Sequence, residues 1–138
     1  MKVKRFNRVE DYERIIDFLT EQYKINKNMV CWLPQRFDDL IYRIDVLHHD
    51  ERGLDRDSDY ILIFEDNEKI VGVVIPDGGS FNSCIKTGYE NIFSQMLDLS
   101  EKELQPLFKR DENGDINFLV VSHDSLEYQK EELEKRGY

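Results

Sequence analysis

Two apolar runs dominate the pattern of the chain, Tyr60-Ile61-Leu62-Ile63-Phe64 and Ile70-Val71-Gly72-Val73-Val74-Ile75, joined at Asp66-Asn67-Glu68. Their β-branched and aromatic composition, bounded by turn residues, predicts an antiparallel hairpin over Asp59 to Asp77. Neither run alternates with polar residues. Both faces of these strands are therefore expected to be buried, and helices must cover them.

The flanking sequence supplies those helices. Met1 to Phe6 alternates in polarity and predicts a strand, and Asn7-Arg8-Val9-Glu10 has the form of a capping box opening a helix through about Tyr23. Tyr12, Ile15, Ile16, Leu19 and Tyr23 recur at helical spacing. A polar linker, Lys24 to Asn28, leads into the apolar loop Met29 to Pro34, which holds the lone Trp32. A second helix, about Gln35 to Leu47, places Phe37, Leu40, Ile41, Ile44 and Leu47 on one side.

Beyond the hairpin, Pro76-Asp77-Gly78-Gly79-Ser80 predicts a turn and Phe81 to Lys86 a short strand. A periodic helix from Thr87 to about Gln105 follows, opened by a Thr87/Glu90 capping box and burying Ile92, Phe93, Met96, Leu97 and Leu104. Ile116 to Val121 predicts another buried strand. The last helix, Ser125 to Arg136, is expected to be capped by Asp124 with Glu127 and closed by Gly137.

Composition narrows the classes. A chain of 138 residues, 40% hydrophobic, suits one domain over 1–138, able to bury about two-thirds of its unfolded surface. Its 29 acidic residues against 19 basic ones give a charge of −10, which opposes phosphate backbones and anionic membranes, so neither nucleic acid nor membrane is an expected partner. Lys2, Lys4, Arg5 and Arg8 alternate with Val3 and Phe6 and read as a half-buried strand rather than a basic patch. No apolar run approaches the roughly 20 residues needed to cross a bilayer. Two cysteines, Cys31 and Cys84, without metal spacing or a secretory leader, lead to the expectation of a cytoplasmic protein.

Several stretches invite chemistry and then fail its requirements. His48-His49-Asp50-Glu51 carries ligand types, but neighbours in sequence do not converge on one ion without a distant pair, so a solvated loop is expected. Asp111-Glu112-Asn113-Gly114-Asp115 begins like a calcium loop, yet its glycine comes too early and Ser122 stands where a bidentate Glu is needed. The Gly78-Gly79 pair lacks the Lys-Ser/Thr of a phosphate loop. Ser122-His123-Asp124 cannot converge as a triad, and the cysteines read as small buried residues rather than nucleophiles. No metal site is expected.

The hairpin FEDNEKIVGVV, the helix TGYENIFSQMLDLSEKEL and the strand-helix unit INFLVVSHDSLEYQKEELEKRGY together resemble the GCN5-related N-acetyltransferase (GNAT) family. The resemblance covers nearly the whole chain. It implies an α+β, three-layer fold with a mixed, mainly antiparallel sheet and helices on both faces. It also implies an acetyl-CoA-dependent N-acetyltransferase acting on a small amine, with the cofactor between splayed fourth and fifth strands. In the family a Q/R-x-x-G-x-G/A loop holds the pyrophosphate; here the matching positions are Ile85, Lys86, Thr87, Gly88, Tyr89 and Asn91, of which only Gly88 keeps the motif. The family's general acid, a Tyr in the last helix, is matched by Leu133, and Tyr128 lies more than a turn earlier. Glu65 and His123 are the candidate general bases.

Those departures support a second reading, a catalytically silent GNAT-like domain used for packing or recognition. In the family, further strands follow the closing Gly-aromatic, here Gly137-Tyr138. An incomplete domain is therefore expected, either part of a tandem protein with an intramolecular second domain or a homodimer. An unrelated α+β protein is the third reading.

Overall fold

The computed structural model describes residues 1–26, 33–47, 58–123 and 125–138, without side chains for 42–47. The apolar loop Met29 to Trp32, the His48 to Glu51 cluster, Cys31, Asp124 and the side chains of Ile44 and Leu47 lie outside the described residues. The elements are β1 (Lys2–Arg5), α1 (Arg8–Asn26), α2 (Pro34–Leu47), β2 (Leu62–Asp66), β3 (Lys69–Asp77), β4 (Ser80–Ile85), α3 (Phe93–Glu103), β5 (Val120–Val121) and α4 (Glu127–Lys135). The fold is α+β, a five-stranded mixed sheet with helices.

The sheet runs β1-β2-β3-β4-β5, antiparallel except for the parallel β4/β5 pair. The hairpin is central, as its two-sided apolarity requires. Ile61, Ile63, Ile70, Val73 and Ile75 join one core cluster with Ile15, Leu19, Phe37 and Leu40 of α1 and α2. Leu62, Phe64, Val71, Val74 and Phe81 join the other with Phe93, Met96 and Leu97 of α3. Alternate residues of each strand thus serve opposite layers.

Two-residue turns close both hairpins of the meander. Asn67 and Glu68 both have positive φ (51° and 66°), as do Gly78 and Gly79 (59° and 100°), the conformation that matches strand twist in the tightest hairpins. A bulge accompanies the first: Phe64 pairs with Gly72 and Glu65 with Ile70, so Val71 is the extra residue. A Cβ at Gly72 would stand 3.2 Å from Ile92 Cδ1 and 3.3 Å from Met96 Cε, so its missing side chain lets α3 close on the sheet.

Local details differ from the sequence expectation for identifiable reasons. Asn7 Oδ1 accepts from the Val9 and Glu10 N–H groups, but the reciprocal bond to the Asn7 N–H comes from Asp11 Oδ2 at 2.8 Å rather than from Glu10. Helix α1 continues to Asn26, and Tyr23 is exposed while Phe18 and Gln22 turn inward. The helix expected from Thr87 starts later, with a single tight turn at Glu90–Ile92 before α3, because Gly88 at φ 97° is not helical. The strand expected over Ile116 to Val121 shrinks to Val120–Val121, with Asn117 and Leu119 facing outward, because it forms the edge of the sheet and only one side packs. The last helix starts at Glu127, and its end is held as expected: Gly137 has φ 86°, and the Tyr138 N–H bonds the Leu133 carbonyl at 3.0 Å.

Candidate functional site

A parallel ladder that stops short marks the candidate crevice of a mixed sheet, and here that ladder joins β4 and β5. Their ladder comprises only Phe81 with Val120 and Asn82 with Val121, strengthened by the Phe81 N–H to Leu119 carbonyl bond at 2.9 Å. Strand β4 continues through Ser83, Cys84 and Ile85 beyond the last residue paired with β5. Ser83 Oγ is buried there and has no hydrogen-bond partner among the described residues. On the other side of the separation Ser122 Oγ donates to Gln129 Oε1 at 2.8 Å, and Gln129 Nε2 donates to Tyr128 Oη at 3.0 Å. Gln129, at the centre of this chain of bonds, is buried, while Ser122 and Tyr128 are half-buried.

The loop leaving β4 is Lys86 to Tyr89. Lys86 N–H bonds the carbonyl of Val71, the bulge residue, at 2.8 Å, which ties the loop to the hairpin. Tyr89 strengthens that tie: its hydroxyl donates to Asp66 Oδ2 at 2.8 Å, and this bond, with the Asp66 charge, raises the phenol pKa. Gly88 N–H, the donor an anion at this loop would seek, bonds both oxygens of Glu90 at 3.1 and 3.0 Å. The Tyr89 and Ile92 N–H groups bond the Lys86 and Tyr89 carbonyls. The expected Thr87/Glu90 box is replaced by this bond from Glu90 to Gly88, and no side chain caps the turn at Tyr89.

The six loop positions are thus contiguous at one end of the crevice, with Ile85 buried and Thr87, Gly88 and Asn91 exposed. A pyrophosphate does not fit this arrangement. Its central donor already holds a carboxylate, and a second anion would face that charge directly.

The candidate bases are not brought to the crevice together. Glu65, at the end of β2, turns to the α1 layer, where Arg14 Nη2 lies 2.5 Å from its Oε2. Arg14 Nη1 bonds Asp11 Oδ1 at 2.8 Å, and Arg14 also reaches the Glu68 carbonyl. The bond to Glu65, together with that to Asp11, outweighs burial and raises the Arg14 pKa. His123 follows β5 but is exposed, its Nδ1 2.7 Å from Ser125 Oγ and accepting the Ser125 N–H at 3.1 Å. Its ring serves the loop before α4.

Leu133, at the family position for the acid, packs into the second core cluster. Tyr128 meets the edge of Phe93 with centroids 5.8 Å apart, and burial raises its pKa, aided by the Glu90 charge and opposed by the bond from Gln129. Tyr128, more than a turn before the family position, sets its phenol beside Phe93 at the start of α3. Cys84 is buried in the α1/α2-side core and disulfide-bonded, so it presents no nucleophilic thiol. Among the described residues no helix is long and apolar enough to cross a membrane, and no three metal-ligating side chains group together.

No family model matches the chain, and no curated protein matches it.

Proposed function

We propose that this chain is a GNAT-like domain whose cofactor loop is closed by its own carboxylate, so that it serves packing or recognition, within a tandem protein or a dimer, rather than acetyl transfer. Support for the GNAT-like part is topological: a buried antiparallel meander at the centre, covering helices on both faces, and a parallel β4/β5 pair joined at one end only. The observation that carries the silent reading is the Glu90 carboxylate on the Gly88 N–H.

Acetyl transfer to an amine needs an anchored acyl-CoA, a base for the ammonium and a donor for the thiolate. In this chain the anchor is self-satisfied, Glu65 is neutralised by Arg14 in the other layer, and His123 is engaged with Ser125. The charge of −10 adds an unfavourable field for a polyanionic cofactor. Calorimetric titration with CoA and acetyl-CoA tests the reading, and the expected result is no saturable heat. Saturable binding of either, with acetyl transfer to a panel of small amines, would replace it with the transferase reading.

A further inference from the structure

We propose that Asn113 is a site of spontaneous covalent modification, where attack by the Gly114 nitrogen converts the asparagine to isoaspartate and thereby loosens the β5 edge of the sheet. The site lies on the hairpin arm 108–118, apart from the Glu90 loop, and holds whether or not that loop takes CoA.

Residue order selects the position. Attack on an asparagine side chain comes from the main-chain nitrogen of the next residue, and any side chain on that residue crowds the ring being formed. Asn113-Gly114 is the one asparagine of the chain followed by glycine; the others precede Arg, Lys, Met, Glu, Ser, Ile or Phe. Both residues are exposed, and a Cβ at Gly114 would meet nothing within 4 Å, so this side of the turn stands clear. Among the described residues the Asn113 carboxamide has no hydrogen-bond partner, in contrast to the side chains of Asn7 and Asn26, which are held on α1.

The reaction balances with water as the co-reactant. The Gly114 nitrogen forms a bond to Asn113 Cγ, the bond from Cγ to the amide nitrogen breaks, and that nitrogen leaves as ammonia with the Gly114 proton. Water then opens the cyclic imide at either carbonyl. Opening at Cγ leaves aspartate, and opening at the main-chain carbonyl carbon leaves isoaspartate, in which the chain runs through Cβ and is one atom longer. One bond gates the first step: the Gly114 N–H donates to the Asp111 carbonyl at 3.0 Å, in an exposed turn where opening costs little.

The turn has no slack for the extra atom. The Asp111 N–H bonds the Asp115 carbonyl at 2.8 Å, and Asp111 Oδ1 accepts from the Asn113 and Asp115 N–H groups at 2.8 and 2.9 Å. Arg110 Nη1 reaches the Gly114 carbonyl at 2.7 Å. These bonds support the pairing of Arg110 with Ile116, which brings Phe108 and Phe118 together with centroids 4.9 Å apart. Phe118 leads into β5, whose ladder to β4 spans only the Phe81/Val120 and Asn82/Val121 pairs. Lengthening the chain at Asn113 therefore weakens a strand that has few bonds to lose.

The test is ageing of the whole chain in mildly alkaline buffer, followed by peptide mass spectrometry and amide hydrogen exchange. The Asn113 peptide should gain the mass difference between an amide and an acid, resolve into aspartate and isoaspartate forms, and convert further than any other asparagine peptide. In the aged protein the Phe81 amide, which bonds the Leu119 carbonyl, should exchange at least about twofold faster, with Val73 unchanged. Fresh Asn113→Asp, which has the charge without the extra atom, should exchange like the parent, and Asn113→Gln should neither convert nor loosen on ageing. The proposal is overturned if Asn113 stays intact, if another asparagine converts first, if conversion leaves exchange at Phe81 unchanged, or if fresh Asn113→Asp already shows the faster exchange.

Discussion

Arg14 of α1 and Glu65 of β2 meet at 2.5 Å, and the same guanidinium holds Asp11, so one cation serves two buried carboxylates from different elements. The pair fastens the α1 layer to the end of the central hairpin. Replacing Arg14 by Met keeps the stem, removes the guanidinium from Glu65 and leaves Asp11 to Lys4 and the Asn7 N–H. The expected cost is about 2–3 kcal/mol by urea denaturation, below the value for a fully buried pair because a third of the Arg14 side chain is exposed. Glu65→Gln, which retains an acceptor, should cost about 1 kcal/mol.

Asp11 makes stability depend on acid. Burial opposes its charge, but bonds from the Asn7 N–H, Lys4 and Arg14 prevail and hold its pKa below the usual carboxylate value. The unfolded chain then binds more protons in acid than the folded one, so this contribution is complete above about pH 4 and is lost as pH falls through the folded value. Urea midpoints measured from pH 6 to pH 2 should fall less steeply for Asp11→Asn, which starts from a lower plateau.

The Glu90 bond to Gly88 should behave as a replaceable anion. Glu90→Ala, which removes one charge-assisted bond at a half-buried position, is expected to cost about 0.5–1 kcal/mol. Inorganic pyrophosphate should recover part of the lost melting temperature in that variant and leave the parent unchanged. Equal responses in the two proteins would contradict the assignment.

Gln22 is fully buried on α1 and Ser100 on α3, and among the described residues neither amide atom of Gln22 nor Ser100 Oγ has a hydrogen-bond partner. A buried polar group without a partner carries a desolvation penalty. Gln22→Met should therefore raise stability by about 1–2 kcal/mol and Ser100→Ala by about 0.5–1 kcal/mol, both read from chemical denaturation. A loss in either would mean that the polar group has a partner in solution.

The sheet centre was legible because Ile61 to Phe64 and Ile70 to Ile75 lack polar alternation, and burial on two faces is the physical meaning of that pattern. Strand β5 was not, because the Ile116 to Val121 run reads as uniformly apolar while the chain presents Leu119 and Val121 to solvent at 63% and 52%. Hydrophobicity records what a residue tolerates, and an edge buries only one side of it. At the site, the loss of all but Gly88 from the phosphate-loop motif was visible in sequence, whereas the bond from Gly88 to Glu90 depended on a positive φ that a sequence rule for capping boxes does not contain. Arg14 escaped notice because, beside the local Asp11, its partners Glu65 and the Glu68 carbonyl lie across a long interval of chain.

The two-residue turns of the β2-β3-β4 meander carry a kinetic consequence. Contacts across such turns close short loops at little entropic cost, while β1 reaches β2 only after two intervening helices and β5 reaches β4 only after α3. The meander is thus the natural nucleus. Amides of Val73 and Val74 should be the last to exchange with solvent deuterium, and those of β5 should be lost first, through fraying that leaves the remaining sheet intact.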